Sequence, residues 1–550
     1  MYQTCATPNV RIRRLGIDRR CTSALRKQKY CRKQTTVCQG GSALQGRNDS
    51  KVFQPLGVGI VEDVKRKAPW FTSDFKDGIN LRGVASTFFL FFGCLAPAVA
   101  FGGMMSLATG GMIGAVEMIL ATAGCGCVYA LTSGQPITIV GSTGPVLALT
   151  SALYKMCLMY SLPFLPMYAW VGLWSSGMLM VCALTSTSNA VKLLTKFTDE
   201  IFSALIAAIF IAEALKDSLS LYLHAESGAE VALLSTLVSL TTLFVATTLA
   251  NFRRSPYFNK KVRNTVADFA PTIGIVIATL VSMVVSNRFA INLPMLSVPM
   301  EFAPSVPRAW VVDLFSVPLW ARWAAAIPGV MTTVLLFFDQ NITTRLVNSS
   351  ENRLKKGHGY HLDMAVLSVL TACCSVFGLP WLVAATVRSV NHLKSLSVMG
   401  PSPAGVGERI ESVMENRLTG FSIHFLIGIS LMFARSLLSM VPLAVLMGLF
   451  LYLGVSAIKG NSFLERVGLM MHDPELVPRL PHTTDIKISS THKFTLIQIV
   501  ALLAMYQVKN SKVGILFPVL IALLGPVRMG LEKMHVFTKE ELHVLDGEAL

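Results

Sequence analysis

The chain has 550 residues, 53% of them hydrophobic and 14% charged, with a mean hydropathy of +0.56. Soluble domains carry about a quarter charged residues. This balance, with many apolar runs of about twenty residues, excludes a soluble globular protein and requires a polytopic membrane protein. The formal net charge of +17 is then a statement about topology rather than nucleic-acid binding, and it suits an anionic substrate.

Residues 1–50 carry eleven Lys and Arg against two acids, Asp18 and Asp49, with no long apolar run. Such a start reads either as an organelle transit peptide or as a disordered basic tail touching anionic lipid. Residues 51–82 read as an amphipathic lead-in. Apolar spans are expected at 83–105, 112–132, 137–157, 164–184, 200–216, 231–250 and 270–287. A loop at 288–319 follows. Further spans are expected at 320–345, 362–379, 381–397, 420–437, 440–459, 492–508 and 512–530, and residues 531–550 form a tail.

The third of these spans is interrupted. It has a Gly134-Gln-Pro136 start, a β-branched run Ile137–Val140, a flexible break Gly141-Ser-Thr-Gly144, and Pro145 at a first helical position. Proline fits there because its missing N–H would be unsatisfied anyway.

The eighth span contains Asp339 after the apolar run Leu335-Leu-Phe-Phe338, with Thr343 four residues on and on the same helical face. A carboxylate and a hydroxyl on one face suit a hard cation such as sodium. The alternative is a helix-end carboxylate capping a neighbouring segment.

The tenth span has the design of the third. Gly378 and Pro380 stop the preceding helix, Trp381–Thr386 reads as extended, and a second half begins near Val387. Arg388 follows at bilayer depth, where a charge normally faces a water-filled cavity and marks a substrate path. Non-helical backbone survives there only if it lines such a cavity. Half-helix N-termini attract anions. Paired interrupted segments, one in each half of a chain, point to a transporter's binding site. The alternative is a loop Arg reaching to the interface.

Basic residues cluster after the sixth span (Arg253, Arg254, Lys260, Lys261, Arg263), after the eighth (Arg353, Lys355, Lys356) and after the twelfth (Lys459, Arg466, Arg479, Lys487). Even loops and both termini are therefore expected on the cytosolic or stromal side. Seven of eleven cysteines lie in or beside spans, and no disulfide framework is implied. Cys125-Gly-Cys127 reads as small-residue helix packing. No catalytic metal cluster or nucleophile elbow is visible, so an enzyme is not expected.

With these residues in place, the chain resembles the bicarbonate transporter and anion-exchanger family, solute carrier family 4. The resemblance spans roughly 60–548. It is carried by Ala96-Pro-Ala-Val-Ala-Phe-Gly-Gly103, Gly141-Ser-Thr-Gly-Pro145, Thr198-Asp-Glu-Ile-Phe202, Asp339-Gln-Asn-Ile-Thr343, Gly359-Tyr-His-Leu-Asp363, Gly378-Leu-Pro-Trp381, Ala385-Thr-Val-Arg-Ser389 and Glu415-Asn-Arg-Leu-Thr-Gly420, in order.

The resemblance implies an all-α membrane fold of fourteen segments in two inverted repeats of seven, 83–287 and 320–530, with broken third and tenth helices. Spans 1–4 and 8–11 would form a core, and spans 5–7 and 12–14 a gate that also makes a homodimer. Transport would be an elevator-like shift of core against gate. Arg388 matches the substrate Arg of anion exchangers, and Phe101 and Thr386 match cavity-lining positions. Asp339 stands where exchangers carry Glu and sodium-coupled members carry Asp, with Thr343 beside it.

The candidate anion site is therefore Arg388, Thr386, Val387, Phe101, Ser142, Thr143 and Gly144, and the candidate cation site is Asp339 with Thr343. The expected function is secondary active transport of bicarbonate, sodium-coupled. The alternatives are a sodium-independent chloride/bicarbonate exchanger, a borate exporter, and a membrane anchor with a degenerate site. No cofactor is expected beyond the transported ions, and the expected location is the plasma membrane or a plastid envelope.

Overall fold

The computed structural model describes residues 55–188, 195–223, 228–296, 303–401, 408–433, 439–458, 461–472, 485–511 and 514–546. The two readings of residues 1–50 lie outside the described residues.

Two short helices, Val58–Lys67 (α1) and Phe71–Lys76 (α2), precede the first span. Three of their charged residues turn inward. Asp63, Lys67 and Asp74 are buried, while Leu56, Val61, Val64 and Phe71 are exposed. An apolar face turned outward suits a segment lying in a membrane interface. Asp63 accepts from the backbone N–H groups of His361 (2.8 Å) and Leu362 (3.1 Å). Asp74 sits between Lys356 Nζ (2.7 Å) and Arg417 Nε (3.1 Å).

The first half of the chain then runs Leu81–Ala108 (α3), Ala115–Thr132 (α4), the two-residue strand Val140–Gly141 (β1), Gly144–Met159 (α5), Phe164–Leu184 (α6), Lys196–Leu223 (α7), Ala229–Asn251 (α8), Lys260–Asp268 (α9) and Ala270–Phe289 (α10). The second half runs Leu319–Ala324 (α11), Ala326–Val347 (α12), Tyr360–Phe377 (α13), the strand Val383–Ala384 (β2), Thr386–Leu396 (α14), a hairpin of Ser397–Pro401 (β3) and Glu408–Val413 (β4), Leu418–Phe433 (α15), Leu443–Ile458 (α16), Ser462–Leu469 (α17), Ile488–Asn510 (α18), Phe517–Lys533 (α19) and Lys539–Asp546 (α20).

Local sequence explains the ends that matter for the site. Asn80 caps α3, its Oδ1 accepting from the Gly83 N–H at 2.8 Å, as an N-cap side chain should. Gly378 closes α13 in the left-handed region, φ 61°, where glycine carries no Cβ penalty. Pro145 stands in the first turn of α5, one position later than expected, because Gly144 is the first helical residue.

Among the described residues, eight helical runs are long and apolar enough to cross a membrane. The expected span 164–184 matches α6. The expected span 320–345 lies within one continuous run, Leu319–Val347, made of α11 and α12 joined at Ala325. The expected 200–216 extends to the whole of α7, because its charges do not interrupt the helix. The hairpin β3–β4 has no counterpart in the sequence reading.

Among the closest helix packings, α6 lies against α12 and α13, α15 lies against α4 and α3, α16 packs on α7 and α8, and α8 packs on α10. Small residues set the close approaches. A Cβ on Gly126 would lie 1.8 Å from the His424 ring, and one on Gly448 would lie 2.2 Å from the Ser239 carbonyl oxygen. Neither approach leaves room for a side chain on the glycine. The Cys125-Gly-Cys127 stretch thus packs as read from the sequence.

Candidate functional site

The two interrupted stretches meet. β1 and β2 pair antiparallel, Val140 opposite Ala384 and Gly141 opposite Val383. The Ala385 N–H adds a bond to the Ile139 carbonyl at 2.8 Å. Each strand runs directly into a helix, β1 into α5 and β2 into α14, so both helix N-termini start beside the crossing.

Extended backbone inside an apolar body needs a partner for every polar group. The stretch before β2 has them. The Tyr168 hydroxyl donates to the Leu379 carbonyl (3.2 Å) and accepts from the Trp381 N–H (3.1 Å). The Trp381 ring stacks on Tyr168 with centroids 4.0 Å apart, and its Nε1–H donates to Ser375 Oγ at 2.9 Å. Ahead of β1, Asp363 accepts from the N–H groups of Gly134 (2.7 Å) and Gln135 (3.1 Å).

α12 braces both half-helices from one side. Asp339 Oδ2 accepts from the Thr143 hydroxyl at 2.8 Å, at the N-cap of α5. Gln340 Oε1 accepts from the Ala384 N–H at 3.0 Å, while its Nε2 donates to the Tyr129 hydroxyl at 2.8 Å. Thr343 donates to the Ala384 carbonyl at 3.1 Å and lies 2.7 Å from the Thr386 hydroxyl. Sequence reasoning assigned no role to Gln340. Its signal was present, since a carboxamide in an apolar span needs partners.

Arg388 sits in the first turn of α14 and is 8% exposed. Its Nη2 donates to the Ser142 carbonyl at 2.6 Å. Its Nη1 and the Ser142 hydroxyl are buried, and neither has a hydrogen-bond partner among the described residues. A buried charged donor left without an acceptor costs more than a neutral one, so an acceptor at Nη1 is favoured. Gly141 makes room for the guanidinium: a Cβ there would lie 2.1 Å from Nη1.

The structure brings three pairs of the expected site residues together: Ser142 with Arg388, Thr143 with Asp339, and Thr343 with Thr386. Among the described residues, no ion pair joins Arg388 to Asp339 and no hydrogen bond joins Asp339 to Thr343. Asp339, also 8% exposed, faces α5, whereas Thr343 faces β2 and α14. Thr386 and Val387 are exposed, Val387 by 73%, so the start of α14 is open. Phe101 is buried in a trio with Phe450 and Phe210, at centroid distances of 5.4 Å and 6.0 Å. Gly144 abuts the same trio, since a Cβ there would lie 2.6 Å from the Phe210 ring.

The two half-helix starts thus hold a buried guanidinium, Arg388, and a buried carboxylate, Asp339. Comparisons with known proteins identify the family. The family model described as the HCO3- transporter integral membrane domain matches residues 54–227 and 223–549. The sodium bicarbonate cotransporter 3 of Rattus norvegicus is 35% identical over 559 aligned positions, covering 89% of this chain and 45% of that protein. The sodium-driven chloride bicarbonate exchanger of Homo sapiens is 34% identical, covering 93% of this chain and 52% of that protein. The chain thus spans about half the length of these relatives. Among solved structures, the transmembrane domain of the cyanobacterial bicarbonate transporter BicA aligns with a TM-score of 0.56 at 16% identity, over 80% of this chain and 98% of that one. The inward-facing murine solute carrier 26 member A9 anion transporter aligns with a TM-score of 0.56 at 12% identity, over 84% of this chain and 70% of that one. These two likenesses speak to the fold.

Proposed function

The chain belongs to the bicarbonate transporter family, whose integral membrane domain it carries, and from that membership we propose that it moves bicarbonate across a membrane by secondary active transport coupled to sodium. It is a multi-pass integral membrane protein. The observation that carries the proposal is Arg388: a buried guanidinium, held by the Ser142 carbonyl, whose Nη1 has no hydrogen-bond partner among the described residues, as is true of the hydroxyl of the same Ser142. A planar anion such as bicarbonate accepts from both. The N–H groups at the starts of α5 and α14 add favourable potential from two directions.

Sodium would bind at Asp339, with the Thr143 hydroxyl and Thr343 near it. The cation neutralises a buried carboxylate next to the anion. Each ion then favours the other's binding, and the coupling is reciprocal. The reaction makes and breaks no covalent bond, so the chain would act as a carrier and not an enzyme, without a cofactor.

Full architecture is part of the same reading. The chain would have fourteen segments in two inverted repeats, with β1–α5 and β2–α14 as the broken third and tenth. The group containing α3–α6 and α11–α15 would be the mobile core, and the group containing α7–α10 and α16–α19 the gate and the homodimer surface. The core would shift against the gate as an elevator.

One observation favours a second reading. Arg388 is not paired with Asp339, so an anion need not displace a carboxylate to bind. That suits sodium-independent chloride/bicarbonate exchange as well. Uptake of labelled bicarbonate into proteoliposomes, with sodium and chloride varied separately, decides between them. Uptake that requires sodium on the bicarbonate side supports the first reading. Uptake that requires only chloride on the opposite side supports the second, and no uptake under any gradient rejects both.

A further inference from the structure

Away from the transport site, Asn80, Arg82, Lys355, Val398 and Ser412 are among the residues lining a cavity of about 340 Å³. No Asp or Glu lines it. Among the described residues, Arg82 makes one long contact, Nη1 to the Ser397 carbonyl at 3.4 Å, and the Lys355 ammonium has no hydrogen-bond or ion-pair partner. Two cations facing one cavity repel each other unless an anion lies between them. Asn80 is already committed to capping α3, and the N-terminus of that long helix adds further positive potential.

The cavity's place in the molecule identifies the source of the anion. It lies at the start of α3, an apolar helix long enough to span a membrane, so it is at headgroup depth. Beside it Ile79 and Leu81 are 75% and 85% exposed, and Val84 and Phe88 are exposed further along α3. Leu81, Val84 and Phe88 are spaced to share one helical face. A cationic cavity that continues into an apolar stripe matches a molecule with a phosphate at one end and hydrocarbon at the other. Basic pockets between membrane helices bind anionic headgroups in this way.

We propose that this cavity binds the phosphate-bearing headgroup of an anionic phospholipid, with its acyl chains along the Leu81, Val84 and Phe88 face of α3. The site also touches the transport machinery. Ser397, which accepts from Arg82, begins the β3–β4 hairpin directly after α14. A bound headgroup therefore fastens the far end of the half-helix that carries Arg388 to the start of the first span.

The test uses the full chain, purified in mild detergent, and native mass spectrometry with added phosphatidylglycerol, phosphatidylcholine or glycerol phosphate. Retention of phosphatidylglycerol over the other two is expected. Each basic residue near an anionic lipid contributes about fivefold, so Arg82→Gln/Lys355→Gln should lower that retention about thirtyfold. Leu81→Gln, which leaves both cations in place, should weaken the lipid and leave glycerol phosphate unchanged. Equal retention of phosphatidylglycerol and phosphatidylcholine by the unmodified chain overturns the proposal. So does an unchanged preference in the double variant. Glycerol phosphate binding as tightly as the lipid would show a soluble-phosphate site instead.

Discussion

Arg388 on α14 donates to the backbone carbonyl of Ser142 at 2.6 Å, just ahead of α5. The basic group of one half-helix is thereby held by the main chain of the other. The two residues are 246 positions apart in sequence, and the proposed anion site lies where they meet. The pairing of β1 with β2 brings them together, and α12 keeps that crossing in place through Asp339, Gln340 and Thr343.

Gly141→Ala tests how tightly the receptor is fitted. The new methyl would fall 2.1 Å from Arg388 Nη1, so the guanidinium must move. Overpacking of this kind costs about 1–3 kcal/mol, which predicts a bicarbonate KM raised about tenfold with expression unchanged. Gly177→Ala is the control, because nothing lies within 4 Å of a Cβ there. An unaltered KM in Gly141→Ala would mean that the guanidinium position does not set affinity.

Asp339 and Thr143 carry the sodium prediction. Thr143→Val removes the 2.8 Å bond to Asp339. Hydrogen bonds to charged groups contribute about 1.5–3 kcal/mol, so the sodium KM should rise about tenfold or more while the chain still folds. Asp339→Asn should lose both the sodium dependence and most of the transport. Initial uptake rates against sodium concentration measure both. A wild-type chain that works at full rate with sodium replaced by a large organic cation, and chloride opposite, would refute sodium coupling.

Much of this site was legible in local sequence because its parts are local rules. Gly134-Gln-Pro136 and Gly378-Leu-Pro380 pair a glycine with a proline two positions on, which disfavours continuing a helix, and β-branched runs such as Ile137–Val140 favour extended backbone. Arg388 and Asp339 were visible as ionisable residues in apolar spans. The partners were not legible. That Arg388 is held by a carbonyl rather than by Asp339, and that Gln340 ties Ala384 to Tyr129, depends on how α4, α12 and the two strands cross. The buried face of α1 and α2 was hidden for the same reason. An amphipathic pattern reports two faces but not which one packs on the protein.

The lead-in supplies a stability prediction independent of transport. Asp74 is buried between Lys356 and Arg417. Removing one partner of a buried charge cluster costs about 3–5 kcal/mol, because the others are left uncompensated. Asp74→Ala should therefore lower the thermal midpoint in detergent clearly, while folded protein keeps its bicarbonate KM. A midpoint equal to wild type would show that α2 is not fastened to the body through this residue.

The most direct measurement concerns Arg388 itself. Proteoliposomes holding equal amounts of folded wild-type, Arg388→Gln and Arg388→Lys protein are compared for initial uptake of labelled bicarbonate. Loss of the charged donor should reduce uptake by about tenfold or more in Arg388→Gln. Arg388→Lys should recover only part, because an ammonium lacks the planar fork that reaches Ser142 and the anion together. Wild-type uptake in Arg388→Gln would contradict the account and place the anion elsewhere in the protein.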